Sequence, residues 1–291
     1  MEVTIICGPT AVGKTAYAIE QALQALEQNS EIISADSGQV YRGLNIGTAK
    51  PSREEQAKVP FHLIDIIDPS ERFSAAGFRT FALEKIKEIT SRGKRPFVVG
   101  GTGLYIKVLE GGIFEGPSAD PDLRRNLEVR IRNEGLESLF SELERKDPEA
   151  ARQIDRHNRQ RLIRALEVCL LTGGKISEFW NRHRSGAASS APTFKKIGLT
   201  LPKEELNRRI NERVRQMIRQ GWIEETEWLL KEWGMDAPAL QIIGYKEIRL
   251  YLTGKLGKDE AIERIKINTR QLAKRQRTWF KRDREIEWIN P

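Results

Sequence analysis

The chain has 291 residues, of which 39% are hydrophobic and 31% are charged, and its formal net charge is +8. This apolar content suffices for a buried core and excludes collagen-like, low-complexity and globally disordered classes. The apolar runs are strand-sized, far below the roughly 18 residues of a membrane span, and the first residues lack the features of a signal peptide. Cys7 and Cys169, with three histidines, do not make a disulfide framework or a zinc finger. We therefore expect a soluble, cytoplasmic protein with no membrane contact.

Strand-like and helix-like stretches alternate in the first third of the chain. Strands are predicted at Val3–Cys7, Glu31–Ala35, His62–Ile67 and Phe97–Gly100. Helices are predicted at Lys14–Gln28, with an apolar face at Ala18, Ala22, Ala25 and Leu26, from the N-cap Ser74 to about Thr90, and from Leu104. Such alternation is typical of a parallel sheet with helices on both faces, which binds ligands at the carboxyl ends of its strands.

The pattern changes after this region. Residues 120–180 show only helical periodicity, and Ser185–Pro192 is a linker of small residues. A strand then returns at Lys196–Leu201, followed by helices from Lys203, Trp222, Tyr245 and Lys258 and by a final strand at Glu285–Ile289. We therefore predict an α/β fold in which a parallel-sheet core of residues 1–112 and 193–291 is interrupted by a helical insertion domain at residues 113–192.

The positive charge is concentrated in the last third of the chain. Residues 1–110 have no net charge and residues 111–194 have +1, whereas residues 195–291 have +7. Within that third, Arg264 to Arg284 contains nine basic residues and one acid, Asp283. A basic helix can be only a solvated face, but at this net charge the binding of a polyanion is an open alternative.

A complete P-loop motif joins the first predicted strand to the first predicted helix. It consists of Gly8, Pro9, Thr10, Ala11, Val12, Gly13, Lys14 and Thr15. The glycines let backbone N–H groups point inward, the helix N-terminus and Lys14 add positive charge, and the Thr15 hydroxyl is placed to bind Mg²⁺. This loop is therefore predicted to bind a diphosphate or a nucleotide.

Two polar residues follow neighbouring strands of the predicted sheet. Asp36 ends the second strand and is either a turn residue or a general base or magnesium ligand near the P-loop. Thr102 lies in a glycine-flanked turn after the fourth strand. It is either an ordinary turn residue or a residue whose hydroxyl faces a ligand. The fourth strand ends without the carboxylate of a Walker-B motif, which makes an ordinary ATPase less favoured.

Eight segments follow one another in a recognisable order over almost the whole chain. They are Gly8–Thr15, Asp36–Tyr41, Gly47–Pro51, His62–Asp65, Val99–Tyr105, Gln160–Glu167, Gly244–Glu247 and Gln271–Gln276. Together they resemble the tRNA dimethylallyltransferase (isopentenyltransferase) family of the bacterial type. Apart from the P-loop each segment is weak by itself, whereas the ordered set is specific.

The resemblance implies a prenyl transfer. Dimethylallyl diphosphate gives its five-carbon group to the exocyclic amine of the adenine just 3′ of the anticodon, in tRNAs that read codons beginning with U. By similarity, Lys14 and Thr15 hold the diphosphate with Mg²⁺, Asp36 takes the amine proton and Thr102 orients the reacting groups. An arginine should neutralise the leaving diphosphate; Arg213 is favoured, and Arg209, one turn earlier on the same face, is the alternative.

The resemblance also implies contacts with the anticodon stem-loop of tRNA. The expected tRNA-binding residues are Asp36, Ser37, Gly38, Gln39, Thr102, Arg124, Gln160, Arg161, Leu162, Ile163 and Arg164. The alternative for the stretch from Gln160 to Arg164 is a solvated helix face. Tyr41 and Tyr105 could stack on bases, but core packing fits each of them at least as well. Position 38 is a glycine here, whereas members of the family frequently have a longer residue at this position. This difference argues against a side-chain contact from position 38.

Two other functions remain open on the residues alone. A small-molecule P-loop kinase would use the helical insertion as its lid, and a non-catalytic RNA-binding module would use the P-loop for regulation. The resemblance favours the transferase, acting as a monomer.

Overall fold

The computed structural model describes residues 2–24, 29–114, 116–185 and 192–291. They form two compact units, Met1–Glu110 with Ala191–Pro291, and Gly111–Ser190. Most of the predicted linker, together with Ala25 and Leu26 of the first helix, lies outside the described residues. Within the described part of the chain, no helix has the length and apolar character needed to cross a bilayer.

The first unit is built on a sheet of six parallel strands. In chain order they are β1 (Glu2–Cys7), β2 (Ser30–Ser34), β3 (Phe61–His62), β4 (Arg95–Gly100), β5 (Thr193–Leu199) and β6 (Ile286–Ile289). Their order across the sheet is β3-β2-β4-β1-β5-β6. Cys7 of β1 pairs with Gly100 of β4, and Ser34 of β2 pairs with Val99 of β4. The carboxyl ends of β1, β2 and β4 therefore meet at one edge of the sheet.

The helices of the first unit come from both ends of the chain. They are α1 (Lys14–Gln24), α2 (Arg53–Lys58), α3 (Ala75–Ser91), α4 (Gly103–Gly111), α10 (Lys203–Arg219), α11 (Trp222–Trp233), a 3₁₀ helix at Pro238–Gln241, α12 (Tyr245–Leu252) and α13 (Lys258–Phe280). The starts predicted at Lys203, Trp222, Tyr245 and Lys258 and the N-cap at Ser74 are confirmed.

Helices cover both faces of the sheet, as the sequence predicted. Because side chains alternate between the faces of a strand, β1 contributes Ile5 to one apolar cluster and Ile6 to another. The first cluster includes Phe78 from α3, and the second includes Ala18 from α1.

One local prediction for the first unit was wrong, and one helix was not predicted. The strand expected over His62–Ile67 ends at His62, because Leu63 and Asp65 adopt positive φ values of 59° and 54°. Helix α2 was missed, although Ser52 and Glu55 form a capping box at its start.

The second unit is helical. Its helices are α5 (Pro121–Glu134), α6 (Leu136–Lys146), α7 (Pro148–Gln153), α8 (Arg159–Thr172) and α9 (Ile176–Ser185). They enclose an apolar core of their own, which contains Leu139, Phe140, Leu162 and Leu166.

Candidate functional site

The P-loop wraps at the carboxyl end of β1 because two of its glycines adopt backbone angles that other residues avoid. Gly8 has φ +145° and Gly13 has φ +105°. A Cβ on Gly8 would also lie 2.6 Å from the Leu199 carbonyl oxygen, so the loop passes close to β5. The Lys14 ammonium donates to the Pro9 carbonyl at 2.8 Å. The Lys14 ammonium group is therefore held within the P-loop, where a bound phosphate group would lie.

Three charged groups act on one another at this end of the sheet. Burial lowers the pKa of Lys14 to about 8; the Asp36 carboxylate opposes that shift, and Arg213 adds to it. Burial also lowers the pKa of Arg213, while Asp36 and Glu55 oppose the shift. Asp36 thus stabilises the charged forms of both cations.

Asp36 and Thr102 belong to one hydrogen-bonded turn. Asp36 Oδ1 accepts from the Gly38 backbone N–H at 2.8 Å, and Thr102 Oγ1 accepts from the Ser37 backbone N–H at 3.1 Å. The Thr102 backbone N–H in turn donates to the Ala35 carbonyl at 3.2 Å. The structure therefore brings together the ends of β2 and β4, as the parallel sheet predicted.

The two arginine candidates on α10 differ in their surroundings. Arg213 is half-buried, and its Nη1 lies 3.5 Å from Oγ1 of Thr10 in the P-loop. Arg209 is exposed and forms an ion pair with Glu205 at 2.8 Å.

Two adjoining cavities meet at these side chains. One, of about 450 Å³, is lined by the P-loop together with Ser34, Gln39, Arg209 and other residues. The other, of about 480 Å³, is lined by Thr102, Trp222, Ile242, Trp279 and other residues. Thr10, Asp36 and Arg213 line both cavities. Groups bound in the first and in the second cavity would therefore both lie beside Asp36.

Sequence reasoning assigned no role to three residues that shape these cavities. Gln276 Oε1 accepts from the Thr10 N–H at 2.8 Å, and its Nε2 donates to the Gly101 carbonyl at 2.9 Å. Trp279, one turn later on α13, packs where a Cβ on Gly103 would lie. Trp222 of α11 forms part of the wall of the second cavity. The only sequence signal was the segment Gln271–Gln276, quoted above without a function.

Other predicted site residues are engaged within the protein. The Gln39 amide accepts from the Ser34 hydroxyl at 2.8 Å and donates to the carbonyls of Thr48 and Ala49. Tyr105 stacks on Phe78 in the core with ring centroids 4.3 Å apart. The buried Tyr41 donates from its hydroxyl to the Glu71 carbonyl at 3.3 Å.

The residues of the helical unit that were predicted to bind tRNA lie in three different environments. Leu162 and Ile163 are buried in its core. Arg124 and Arg164 both bind the fully buried carboxylate of Glu167, at 2.8 Å and 2.6 Å respectively. Gln160 and Arg161 are exposed at the start of α8.

The C-terminal part of α13 and the residues just after it carry cations beside the second cavity. A groove of about 600 Å³ is lined by Gln271, Lys274, Arg275, Thr278, Trp279 and Arg282. Arg275 and Trp279 also line the second cavity. Along the described stretches of chain, none of the three cations of this groove forms an ion pair, whereas Arg264 earlier on the helix is paired with Glu260.

The described residues contain no group of three or more His, Cys, Asp or Glu side chains that would hold a metal ion by themselves. The Thr15 hydroxyl and the Asp36 carboxylate are among the oxygen groups that line the first cavity. Mg²⁺ prefers oxygen ligands and often takes most of them from substrate phosphates and water. The residues present therefore fit Mg²⁺ bound together with a diphosphate.

Comparisons with known proteins match nearly the whole chain. A family model described as IPP transferase matches residues 39–283, and one described as Isopentenyl transferase matches residues 1–65. The tRNA dimethylallyltransferase of Geobacter metallireducens is 48% identical, with 98% of this chain and 91% of the relative covered. That of Carboxydothermus hydrogenoformans is 47% identical, with 98% and 91% covered.

Solved structures give the same result. The tRNA isopentenylpyrophosphate transferase of Bacillus halodurans is 42% identical with a TM-score of 0.72, and the match covers 99% of this chain and 89% of that one. A eukaryotic dimethylallyltransferase described as acting on tRNA is 30% identical with a TM-score of 0.81, covering 99% and 73%.

Proposed function

The chain belongs to the IPP transferase family of prenyltransferases, and from this premise we propose that it transfers a dimethylallyl group from dimethylallyl diphosphate to tRNA. The acceptor is the exocyclic amine of the adenine 3′-adjacent to the anticodon, in tRNAs that read codons beginning with U. The small-molecule kinase is not favoured, because the relatives match over nearly the full chain and are transferases.

One observation supports this proposal most strongly: Asp36 and Arg213 line both adjoining cavities. In the proposed arrangement the diphosphate occupies the P-loop cavity, and the adenine, extruded from a single-stranded loop, enters the second cavity. The reacting carbon then lies between them, beside a carboxylate and a guanidinium.

The residues then have distinct roles in the transfer. The bond between the allylic carbon and the diphosphate oxygen breaks while a bond from the adenine amine to that carbon forms. Asp36 accepts the proton that the amine loses, and Thr102 orients the groups at the turn it shares with Asp36. Lys14, Arg213 and backbone N–H groups of the P-loop stabilise the negative charge that grows on the departing diphosphate.

Thr15 is the residue proposed to hold Mg²⁺ with the diphosphate oxygens. When bound, the ion would neutralise diphosphate charge. Arg213 is preferred over Arg209 for the contact with the diphosphate, because Arg209 is already paired with Glu205 at the surface.

The tRNA contacts are proposed for both units. In the helical unit, Gln160 and Arg161 would contact the anticodon loop, since Leu162 and Ile163 are in the core. Arg124 and Arg164 would contribute less to the net attraction, because Glu167 neutralises part of their charge. In the first unit, Lys274, Arg275 and Arg282, which form no ion pair within the described residues, would bind phosphates. The turn Asp36–Gln39 would line the base pocket.

A direct test is to incubate the protein with Mg²⁺, labelled dimethylallyl diphosphate and unmodified tRNA. We expect label in the tRNA in one-to-one ratio with released diphosphate. The matched control is the same tRNA with guanosine in place of the target adenosine, which should take up no label. Absence of label with the natural tRNA, with ATP-dependent phosphorylation of a nucleoside instead, would contradict the proposal.

A further inference from the structure

A carboxylate outside both cavities holds the loop that forms part of their walls. Glu225 of α11 accepts hydrogen bonds from the backbone N–H groups of Asn45, Ile46 and Gly47, at distances from 2.9 to 3.3 Å. Three consecutive donors that converge on one carboxylate give charge-assisted bonds, which are stronger than bonds between neutral groups. The side chain of Glu225 lines neither cavity.

The phenol of Tyr245 completes this arrangement. Its hydroxyl donates to Oε1 of Glu225 at 2.6 Å and accepts from the Gly47 N–H at 3.1 Å. Tyr245 is fully buried, with Trp222 packed edge-to-face at 5.7 Å. Burial and the Glu225 carboxylate raise the pKa of Tyr245 well above its ordinary value, so that the phenol keeps its proton. Tyr245 lies in the segment Gly244–Glu247, to which the proposed mechanism gives no role.

The other side of the same loop is bound to the turn that carries Asp36. Gln39 donates to the carbonyls of Thr48 and Ala49 at 3.3 and 3.2 Å. The Thr48 methyl group also packs against Gly38, where an added Cβ would come within 3.0 Å of it and within 3.3 Å of Asp36 Oδ1. A shift of Thr48 would therefore be transmitted to the turn in which Asp36 accepts from Gly38.

The loop has little room to move by itself. A Cβ on Gly47 would lie 2.1 Å from the indole nitrogen of Trp222 and 2.6 Å from the ring of Tyr245. Thr48 and Ala49 line both cavities, and Gly47 lines the second. The backbone of this loop is therefore a wall of the site, fixed from α11 on one side and bound to the Asp36 turn on the other.

We propose that Glu225 and Tyr245 are positioning residues for the transfer: they hold the Asn45–Ala49 loop so that the Asp36 carboxylate and the acceptor cavity keep their reactive geometry. This inference rests on the proposed function, since it concerns the efficiency of that same site. A displacement of about 1 Å can reduce a rate about 100-fold.

The test compares Glu225→Gln and Tyr245→Phe with Glu224→Gln, an exposed neighbour on the same helix that serves as control. In Glu225→Gln the new side-chain amide retains one acceptor oxygen and turns an NH₂ group toward the loop N–H groups. We expect the single-turnover rate at saturating donor and tRNA to fall about 10- to 100-fold in Glu225→Gln and less in Tyr245→Phe. The KM for tRNA and the affinity for donor should stay close to the wild-type values.

Two further measurements separate positioning from a general loss of stability. Amide hydrogen exchange should rise at residues 45–47 in Glu225→Gln and stay unchanged in the α8 amides. In an Asp36→Asn background, Glu225→Gln should lower the single-turnover rate little further, because both changes act through Asp36. Tyr245→Phe keeps the packing of the ring against Trp222. If Glu225→Gln does not fold, the transfer rate and hydrogen exchange of Tyr245→Phe test the proposal instead.

The outcomes are distinguishable from those of the proposed function. A wild-type transfer rate in Glu225→Gln despite raised exchange at residues 45–47 would overturn the positioning role. An equal rate loss with and without Asp36 would also overturn it, since that indicates a general structural effect. Failure of the wild-type protein to modify tRNA would instead contradict the proposed function, whatever Glu225 does.

Discussion

Gln276 on α13 and Thr10 in the P-loop are 266 positions apart in the sequence, yet the Thr10 backbone N–H donates to Gln276 Oε1 at 2.8 Å. The side-chain NH₂ of Gln276 also donates to the Gly101 carbonyl at 2.9 Å. One side chain thus joins the loops that follow β1 and β4, and it fixes their separation at the site.

Replacing Gln276 by Ala should therefore weaken the binding of the donor. A net hydrogen bond contributes ~1 kcal/mol, so we expect the KM for dimethylallyl diphosphate to rise about five-fold, and the rate at saturation to fall as Gly101 and Thr102 shift. Steady-state kinetics check this. Gln271→Ala, an exposed change on the same helix, should leave the donor KM unaltered; an equal effect would show that the bridge is not responsible.

The charge state of Lys14 predicts a pH dependence of donor binding. Burial lowers the pKa of Lys14 to about 8 in the free protein, and only the ammonium form makes a charge-assisted contact with the diphosphate. Raising the pH through about 8 removes the proton, so donor affinity should fall. Calorimetric titrations at constant ionic strength measure this decline. In Lys14→Ala, donor binding should be weaker and should no longer depend on pH around 8, while tRNA binding stays close to normal. If Lys14→Ala keeps the wild-type pH dependence, that dependence belongs to another group.

The exposure of Arg161 predicts a change in salt dependence. Each phosphate contact contributes ~0.7–0.9 to the slope of log affinity against log salt concentration. Arg161→Ala should reduce the magnitude of the slope for tRNA binding by ~0.7–0.9, the contribution of one contact. Arg164→Ala should reduce it less, because Glu167 binds Arg164. Binding measured over a salt series gives both slopes. Arg95, exposed at the opposite end of β4, is the control. An unchanged slope in Arg161→Ala would place this arginine on a solvated face.

The buried Glu31 predicts how the first unit responds to acid. Burial by itself raises the pKa of Glu31, but hydrogen bonds from Lys94, His62 and Arg92 outweigh it and lower the pKa to about 2, below its ordinary value of 4.5. Because the folded value is the lower one, the stabilisation is present above the ordinary value and is lost as pH falls from there toward about 2. Glu31→Gln should lower the free energy of unfolding near neutral pH by about 2 kcal/mol, since its partners are partly exposed.

Denaturant unfolding as a function of pH measures this effect. The difference between wild type and Glu31→Gln should shrink as the pH falls below about 4. Glu84→Gln, an exposed change on α3, should follow the wild type throughout. A constant difference at all pH values would mean that the charge of Glu31 is not what stabilises the sheet edge.

Much of the fold was predictable because the signals were local. The helix that starts at Lys203 follows from apolar periodicity, and the N-cap at Ser74 follows from its side chain. The P-loop, Asp36 and Thr102 were predicted to converge because parallel strands place their carboxyl ends at one edge. The strand predicted over His62–Ile67 was wrong because positive φ at Leu63 and Asp65 depends on tertiary contacts, such as the ion pair of Asp65 with Lys50.

The rest of the site depends on contacts that no local pattern encodes. Gln276, Trp222 and Glu225 reach the P-loop, the cavity wall and the Asn45–Ala49 loop from elements far away in the sequence. Sequence reasoning favoured Arg213 but kept Arg209 as the alternative, because both lie on the same helical face. Only the packing of α10 shows that Arg213 is the one beside Thr10.

Asp36 is the residue on which the proposed mechanism depends. Its carboxylate lines both cavities and accepts from the Gly38 N–H. Asn keeps the size and one acceptor oxygen but cannot take a proton from the adenine amine. Proton transfer by a positioned group contributes ~10²–10⁴ to a rate, so the loss should appear in the chemical step rather than in binding.

The most direct measurement is the single-turnover rate of Asp36→Asn at saturating dimethylallyl diphosphate and tRNA, with both affinities and the Mg²⁺ dependence measured in parallel. We expect a rate at least about 100-fold below that of the wild type, with tRNA and donor affinities close to normal and no recovery in excess Mg²⁺. Recovery with excess Mg²⁺ or a collapse of donor affinity would make Asp36 a metal ligand. A rate within a few-fold of the wild type would make it a turn residue and contradict its assignment as the general base.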